Sequence, residues 1–387
     1  MDRLISTREA DSLTARLIAL GHESLPLAQS IGRKLASPLI ADRDFPPYQR
    51  AMMDGVAFDS SQIPATGPLV IAGLHAAGNH TPPPLRPGQA WEIMTGAQVP
   101  HDCDTVVPYE HLEHGRPRPG WRSGQFIHPT GSDARAGDTL VAAGSPIGPI
   151  EIAIAASIGL DQIKVTRQAR IALLSTGDEA VPPGSTPLPW QIRRSNGPML
   201  EAILHRRGNP LVFHDHAPDD PDNCGALLDA ALLDADLLLV CGGISKGKRD
   251  HIRTLLEARL GPPAFHGVAQ RPGKPLAFWP GPPAVFALPG NPVSVLATFT
   301  RHVLPALSRM EGHEPIPSRI SMKDLPAPLA DFSWLLTVVP GPDGTLQARP
   351  PANSGDFISV AGCIGLVELP PAPLFDPTAP LAFHPFL

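Results

Sequence analysis

Several short loops of this chain combine residue types that do chemistry on anions and metal ions. In "STGDE" an apolar run ends in Asp178 and Glu179 side by side. Adjacent carboxylates can hold a divalent cation, orient a water, or simply close a solvated turn. In "CGGISKGKRD" the pair Gly242 and Gly243 follows the run "DLLLV", and Ser245 and Asp250 come after it. Glycines let backbone amides reach an oxyanion with no Cβ in the way, so a phosphate site is the natural inference and a plain strand-to-helix turn the alternative. No Gly-x-Gly-x-x-Gly or Walker pattern accompanies it. In "LPGNPVS" Asn291 suits a helix N-cap and Pro292 the first helical position, so free amides are expected to point back at the preceding strand. "RPGKP" holds Arg271 and Lys274 between prolines, a pair of cations better suited to an anion than to a solvated face. Nearer the amino end, "RAMMDGVAF" presents Asp54 in a tight turn and "IMTGAQVP" presents Thr95 and Gly96; each is ambiguous alone.

The elements around these loops decide whether they meet. From Arg170 to about Met310 apolar runs alternate with helical patterns: "ARIALLSTGDE", "NGPMLEAILHRRG", "PLVFHDHAP", "NCGALLDAALLDA", "DLLLVCGG", "HIRTLLEARLG", "AVFALPGNP". Such alternation predicts a doubly wound parallel sheet, whose ligand crevice lies at the carboxyl ends of its strands, where these loops sit. Residues 45–139 read as a small β domain of short strands between Pro/Gly turns, and residues 312–387 as a Pro-rich C-terminal β domain. The flanking stretches 1–44 and 140–168 carry a helix pattern from Thr7 to Leu20, a strand plus helix in "LPLAQSIGRKLASPLIA", and a Pro-started helix in "PIGPIEIAIAASIGL". The fold class expected is therefore multidomain α/β plus β, with residues 169–311 as the doubly wound domain.

Composition narrows the functions. With 31 Lys and Arg against 37 Asp and Glu the net charge is -6, and no basic run stands out, which argues against nucleic-acid coating. No apolar run approaches the roughly 18 residues of a membrane span, and the start "MDRLISTREADSL" has no apolar signal region, so a cytoplasmic chain is expected. Cys103, Cys224, Cys241 and Cys363 form no Cys-x-x-Cys pair, so buried free thiols are expected rather than a zinc knuckle or disulfides. Forty-nine prolines, against an average near 5%, imply rigid loops and edge strands rather than disorder, since 42% of residues are apolar.

Taken together, "MMDGVA", "IMTGA", "DTVVPYE", "STGDE", "SNGPML", "GGIS", "RPGKP" and "LPGNPVS" resemble, in order and spacing, the molybdopterin molybdenumtransferases, the MoeA family that includes the E domain of gephyrin. The resemblance spans essentially the whole chain. It implies four domains: a linking domain from residues 1–44 and 140–168, the small β domain, the doubly wound molybdopterin-binding domain and the C-terminal β domain. It implies insertion of molybdate into adenylylated molybdopterin with release of AMP, with Mg2+ as cofactor. By position, Asp54, Thr95, Glu179 and Asp250 match the family's active-site acids and hydroxyl, and Asp54, Glu179 and Asp250 its metal ligands. Substrate binding is implied for Asp178, Gly242, Gly243, Ser245, Arg271, Gly273, Lys274, Pro289, Gly290, Asn291, Pro292, Ser294 and Ser354. A homodimer is implied that sets Asp54 and Thr95 against the partner's Gly-Gly loop, with the molybdopterin adenylyltransferase and recipient molybdoenzymes as further partners. The chain departs from the family at Lys248 and Arg249, at "DFSWLL", which has no arginine, and at Ile364. These departures leave open a specialised or non-catalytic paralogue that acts as a pterin-binding scaffold.

Overall fold

The computed structural model describes residues 3–64, 66–78, 82–244 and 251–386 of the 387. The chain divides into two compact units, Ser24–Val165 and a second made of Met1–Glu23 with Thr166–Leu387.

In the first unit a four-stranded sheet runs in the order Val70–His75, Gln89–Ile93, Gly55–Phe58, Thr105–Pro108. Alternation along Gly55–Phe58 explains why it is buried throughout: Val56 and Phe58 pack on one face with Ala90 and Val107, and Ala57 packs on the other with Ile93 and Val106. A separate core of Leu35, Leu39, Ile147, Ala155 and Val165 surrounds the helix Pro149–Ser157. The helix expected in "LPLAQSIGRKLASPLIA" does not form. Gly32 turns with φ +78, and Lys34 and Leu35 bridge to Pro146 and Val165, so only the 3-10 turn Leu27–Gln29 remains helical.

The second unit holds the doubly wound sheet, ordered Leu211–Ala217, Ile171–Thr176, Leu237–Cys241, Ala284–Leu288, Ala277–Trp279, Phe265–His266. The first four strands are parallel, as expected. The last two add an antiparallel edge too short to show a pattern in the sequence. Both faces are covered, which is why the central strands are continuous apolar runs. Ile171, Leu173, Leu239 and Phe286 enter one core, while Ala172, Leu174, Val240 and Val285 enter the other. Leu173 and Leu239 are fully buried, so truncating either to alanine should cost about 2–5 kcal/mol.

The helix predicted over Thr7 to Leu20 is shorter, Thr7–Thr14, with Ala15 as its C-cap. A second sheet follows the order Gln270–Arg271, Ser333–Pro340, Gly365–Leu369, Leu381–Pro385, Ser318–Ile320. Its first strand is two residues borrowed from the doubly wound region: Gln270 pairs with Ser333 and Arg271 with Trp334. That pairing brings "RPGKP" beside the C-terminal sheet. No helix among the described residues is long and apolar enough to cross a membrane.

Candidate active site

Strand order reverses between Ile171–Thr176 and Leu237–Cys241, and the crevice outside their carboxyl ends is where sheets of this kind bind ligands. A cavity of about 410 Å³ lies there, walled by Thr176, Glu179, His216, Gly242, Gly243 and Asn291 among others. Gly242 and Gly243 have φ of +94 and +66; a Cβ would fall 2.9 Å from the Thr176 hydroxyl in one case and 2.7 Å from the Ile252 side chain in the other. Only glycine lets the loop pass this close to the strand end. The Gly242 amide donates to the Leu288 carbonyl at 3.1 Å, so close approach rather than this N–H is what Gly242 supplies.

A second cavity, of about 940 Å³, is lined by Arg271, Lys274, Asn291, Ser294, Trp334 and Ser354. Gly273 has φ +90 and no room for a Cβ, which would sit 2.3 Å from the Thr298 methyl, so it sets the bend that carries both cations. The Arg271 guanidinium lies 5.7 Å from the Trp334 ring and the Lys274 ammonium 5.8 Å from the Phe332 ring. Neither cation forms an ion pair with a described residue.

Pro289, Gly290 and Asn291 border both cavities. The Asn196 side-chain amide donates to the Gly290 carbonyl at 2.7 Å from one side, and Asn291 donates to the Ser354 hydroxyl at 2.7 Å on the other. Here the sequence expectation needs correction. Asn291 occupies the N-cap position of Pro292–Thr298, but its side chain makes no cap hydrogen bond because Ser354 draws it away. The Ser354 carbonyl also accepts the Val293 amide at 3.1 Å, and Pro292 has no N–H, so the first turn offers fewer free amides than expected. Asp178 is engaged as well: its carboxylate accepts the Asp219 amide at 3.0 Å and ties two loops together. Glu179 is exposed at the cavity wall. Ser245, Lys248, Arg249 and Asp250 lie outside the described residues.

In the other unit, the Asp54 carboxylate accepts both the amide and the hydroxyl of Thr95 at 2.6 Å. Those two bonds hold its pKa below the usual carboxylate value. Gly55 lets the turn fit, since a Cβ there would collide with the Val107 carbonyl. Asp54 is exposed, with Met52 and Met53 beside it.

The sequence reading missed Ser175 and His216, which share a hydrogen bond of 2.8 Å and both line the smaller cavity. Only the parallel register, in which the two are direct partners, could have joined them.

Comparison with known proteins places this geometry. Residues 5–159 match the family described as "MoeA N-terminal region (domain I and II)", and residues 172–309 match "Probable molybdopterin binding domain". The molybdopterin molybdenumtransferase of Synechocystis sp. is 35% identical over 368 residues, covering 90% of this chain and 91% of that one. The molybdopterin molybdenumtransferase 2 of Mycobacterium tuberculosis is 30% identical, covering 90% of each. The chain belongs to the molybdopterin molybdenumtransferase family. The molybdopterin biosynthesis MoeA protein of Pyrococcus horikosii superposes with a TM-score of 0.82 at 28% identity, covering 100% of both chains. As a molybdenumtransferase the chain is an enzyme of molybdenum cofactor biosynthesis, and a purely scaffolding role is not favoured.

Proposed function

We propose that the chain inserts molybdate into adenylylated molybdopterin and releases AMP, using the two cavities that meet at Pro289–Gly290–Asn291. The observation that carries this reading is their contrast. One offers a close-approach glycine pair beside the Glu179 carboxylate, and the other offers two cations that form no ion pair with a described residue. Phosphate groups would sit against Gly242, Gly243 and Ser245. Arg271, Lys274, Ser294 and Ser354 would grip molybdate or the pterin phosphate, with Gly273, Pro289, Gly290, Asn291 and Pro292 shaping that wall.

Magnesium is proposed as the cofactor. Among the described residues no cluster of three or more His, Cys, Asp or Glu forms a ready metal cage. A single exposed carboxylate still fits this ion, because magnesium takes one or two carboxylates together with waters and substrate phosphates. Glu179 would hold it with Asp250, and Asp54 would contribute from a partner subunit. When bound, the ion would neutralise charge on the phosphates that link molybdopterin to AMP. Within the chain's own groups, Thr95 keeps the Asp54 carboxylate ionised and oriented. The homodimer, the four-domain boundaries, the cytoplasmic location and the delivery of substrate by an adenylyltransferase belong to the same proposal.

The test is incubation of the purified protein with adenylylated molybdopterin, molybdate and magnesium. Molybdate-dependent AMP release is expected. Release that is absent, or indifferent to molybdate, would remove the proposal.

A further inference from the structure

His216 stands at the carboxyl end of Leu211–Ala217, directly across from Ser175 in the parallel ladder. Its Nε2 lies 2.9 Å from the Gly177 carbonyl and its Nδ1 2.8 Å from the Ser175 hydroxyl. A carbonyl only accepts, so Nε2 carries the hydrogen. Burial, opposed by the bond to Gly177, holds the ring below its usual pKa, so it is neutral near pH 7 and Nδ1 is an acceptor. The Ser175 hydroxyl therefore donates to the ring.

The Gly177 carbonyl is also the closing acceptor of the turn that carries Glu179, taking the Ala180 amide at 3.1 Å. Gly177 has φ +121, and a Cβ there would lie 2.8 Å from both Glu179 carboxylate oxygens, so that carboxylate is folded back over the glycine. Whatever fixes Gly177 thus fixes Glu179. The ring of His216 is the side chain that bonds Gly177, while the Arg194 Nε–H donates to the Ala180 carbonyl at 2.9 Å on the far side of Glu179.

We propose that His216 is a positioning residue: through Gly177 it helps lock the turn that presents Glu179, and through Ser175 it engages the hydroxyl hydrogen and leaves the oxygen as an acceptor. Ser175 and Glu179 line that cavity and offer oxygen acceptors, with Arg193 and Arg194 also on its wall. Acceptors suit a cation and its bound waters, whereas a phosphate suits the arginines and the Gly242–Gly243 side. The inference rests on the reading of Glu179 as a metal-holding group. It adds a residue outside the "STGDE" loop on which that role depends.

The experiment separates the two arms of the imidazole in the full-length protein. In His216→Gln the side-chain N–H can reach the position of Nε2 and keep the clamp on Gly177. In His216→Asn the side-chain oxygen can replace Nδ1 toward Ser175, but nothing reaches Gly177. Manganese serves as the probe, titrated by the electron paramagnetic resonance of the free ion, alongside amide hydrogen exchange of peptides covering residues 175–181. His216→Asn is expected to exchange faster in that segment and to bind manganese about 10-fold more weakly, the usual effect of losing a group that orients a metal-binding side chain. His216→Gln should stay close to wild type in both measurements. Ser175→Ala should leave exchange unchanged and weaken manganese binding by less than the asparagine variant does. A His216→Asn protein with wild-type exchange and affinity overturns the inference, as does a His216→Gln protein as loose as His216→Asn. If the wild type itself takes up no manganese, the metal reading of Glu179 falls, and the exchange comparison still decides whether His216 holds the turn.

Discussion

Two sets of arginine and lysine side chains in the Thr166–Leu387 part of the chain have opposite surroundings. Arg301 is 7% exposed and fully paired: it meets both oxygens of Asp11 at 2.7 and 2.9 Å and an oxygen of Glu368 at 2.6 Å. Thr7 donates to the other Glu368 oxygen at 2.8 Å. Arg271 and Lys274 are exposed, rest on aromatic rings and form no ion pair with a described residue. A buried charge must be paired on folding, because leaving it alone costs several kcal/mol, whereas a charge reserved for a ligand has to stay unpaired until the ligand arrives. Arg301 thus belongs to the architecture, joining the helix Thr7–Thr14, the Pro292–Met310 helical stretch and the strand Gly365–Leu369. Arg271 and Lys274 fit the proposed site.

The contrast is broken most strongly at Glu368. Burial would raise its carboxyl, but the charge of Arg301, together with hydrogen bonds from Arg301 and Thr7 and the His384 ring 3.7 Å away, holds it well below the usual range. Glu368→Gln should therefore lose about 3–5 kcal/mol of stability near neutral pH, the cost of leaving Arg301 underpaired. A depressed folded-state pKa means that the stabilisation is present above the ordinary carboxylate value of about 4.3 and is lost as pH falls below it. Urea denaturation at several pH values checks both points: the gap between wild type and Glu368→Gln should be widest near pH 7 and narrow below about pH 4. A gap that is constant with pH would mean Glu368 contributes packing rather than charge.

Lys274→Ala should show the opposite signature. Loss of one charge-assisted hydrogen bond predicts roughly 10- to 100-fold weaker binding of molybdopterin. Stability should change by no more than about 0.5 kcal/mol, because the ammonium is exposed and rests on the Phe332 ring. Calorimetric titration with molybdopterin and a melting curve on the same sample distinguish this from a structural role. Equal affinity of wild type and variant would place Lys274 among solvated surface charges.

That difference also explains what the sequence could and could not reveal. Continuous apolar runs such as "IALL" and "LLLV" announce strands buried on both faces, and glycines at strand ends announce loops that must pass close by. Arg271 and Lys274 stood out because prolines flank them. The Arg301 network did not, since Asp11, Arg301 and Glu368 meet only after the chain has folded and each is an ordinary charged residue in its own window. Strand Gln270–Arg271 is two residues long and has no period to detect, yet it brings the two cations beside the C-terminal sheet. His216 was hidden for a similar reason, because a parallel register cannot be read from either strand alone. The helix expected within residues 25–41 failed where Gly32 turned the backbone and bridges at Lys34 and Leu35 kept it extended.

A proposed site shared between subunits can be tested by complementation. Asp54→Asn and Glu179→Gln should each be inactive alone. Unfolded and refolded as an equal mixture, half of the dimers are mixed, and each mixed dimer would carry one doubly altered site and one intact site. Random pairing then restores about a quarter of wild-type activity. If Asp54 and Glu179 served the same site from one chain, every site would keep a lesion. A mixture as inactive as its parents, with mixed dimers confirmed by mass, would eliminate the shared site.

The smallest effect expected sharpens the comparison at its finest point, the ring beneath Arg271. Trp334 comes from "DFSWLL", where the resemblance leads one to expect arginine, and pairs in register with Arg271. An arginine placed there would add a third cation to the cavity; a tryptophan instead supports a cation already present. A cation over a ring at an exposed site contributes about 0.5–1 kcal/mol, so Trp334→Ala should raise the molybdate concentration for half-maximal AMP release by roughly 2- to 5-fold. Trp334→Phe retains a ring face and should fall between the alanine variant and wild type. Trp334→Arg should lower the requirement below that of wild type if cation number sets the grip, and raise it if the stacked geometry of Arg271 does. The molybdate dependence of the four proteins orders these outcomes, and a requirement unchanged in all three variants would show that the Trp334 ring has no part in holding the oxyanion.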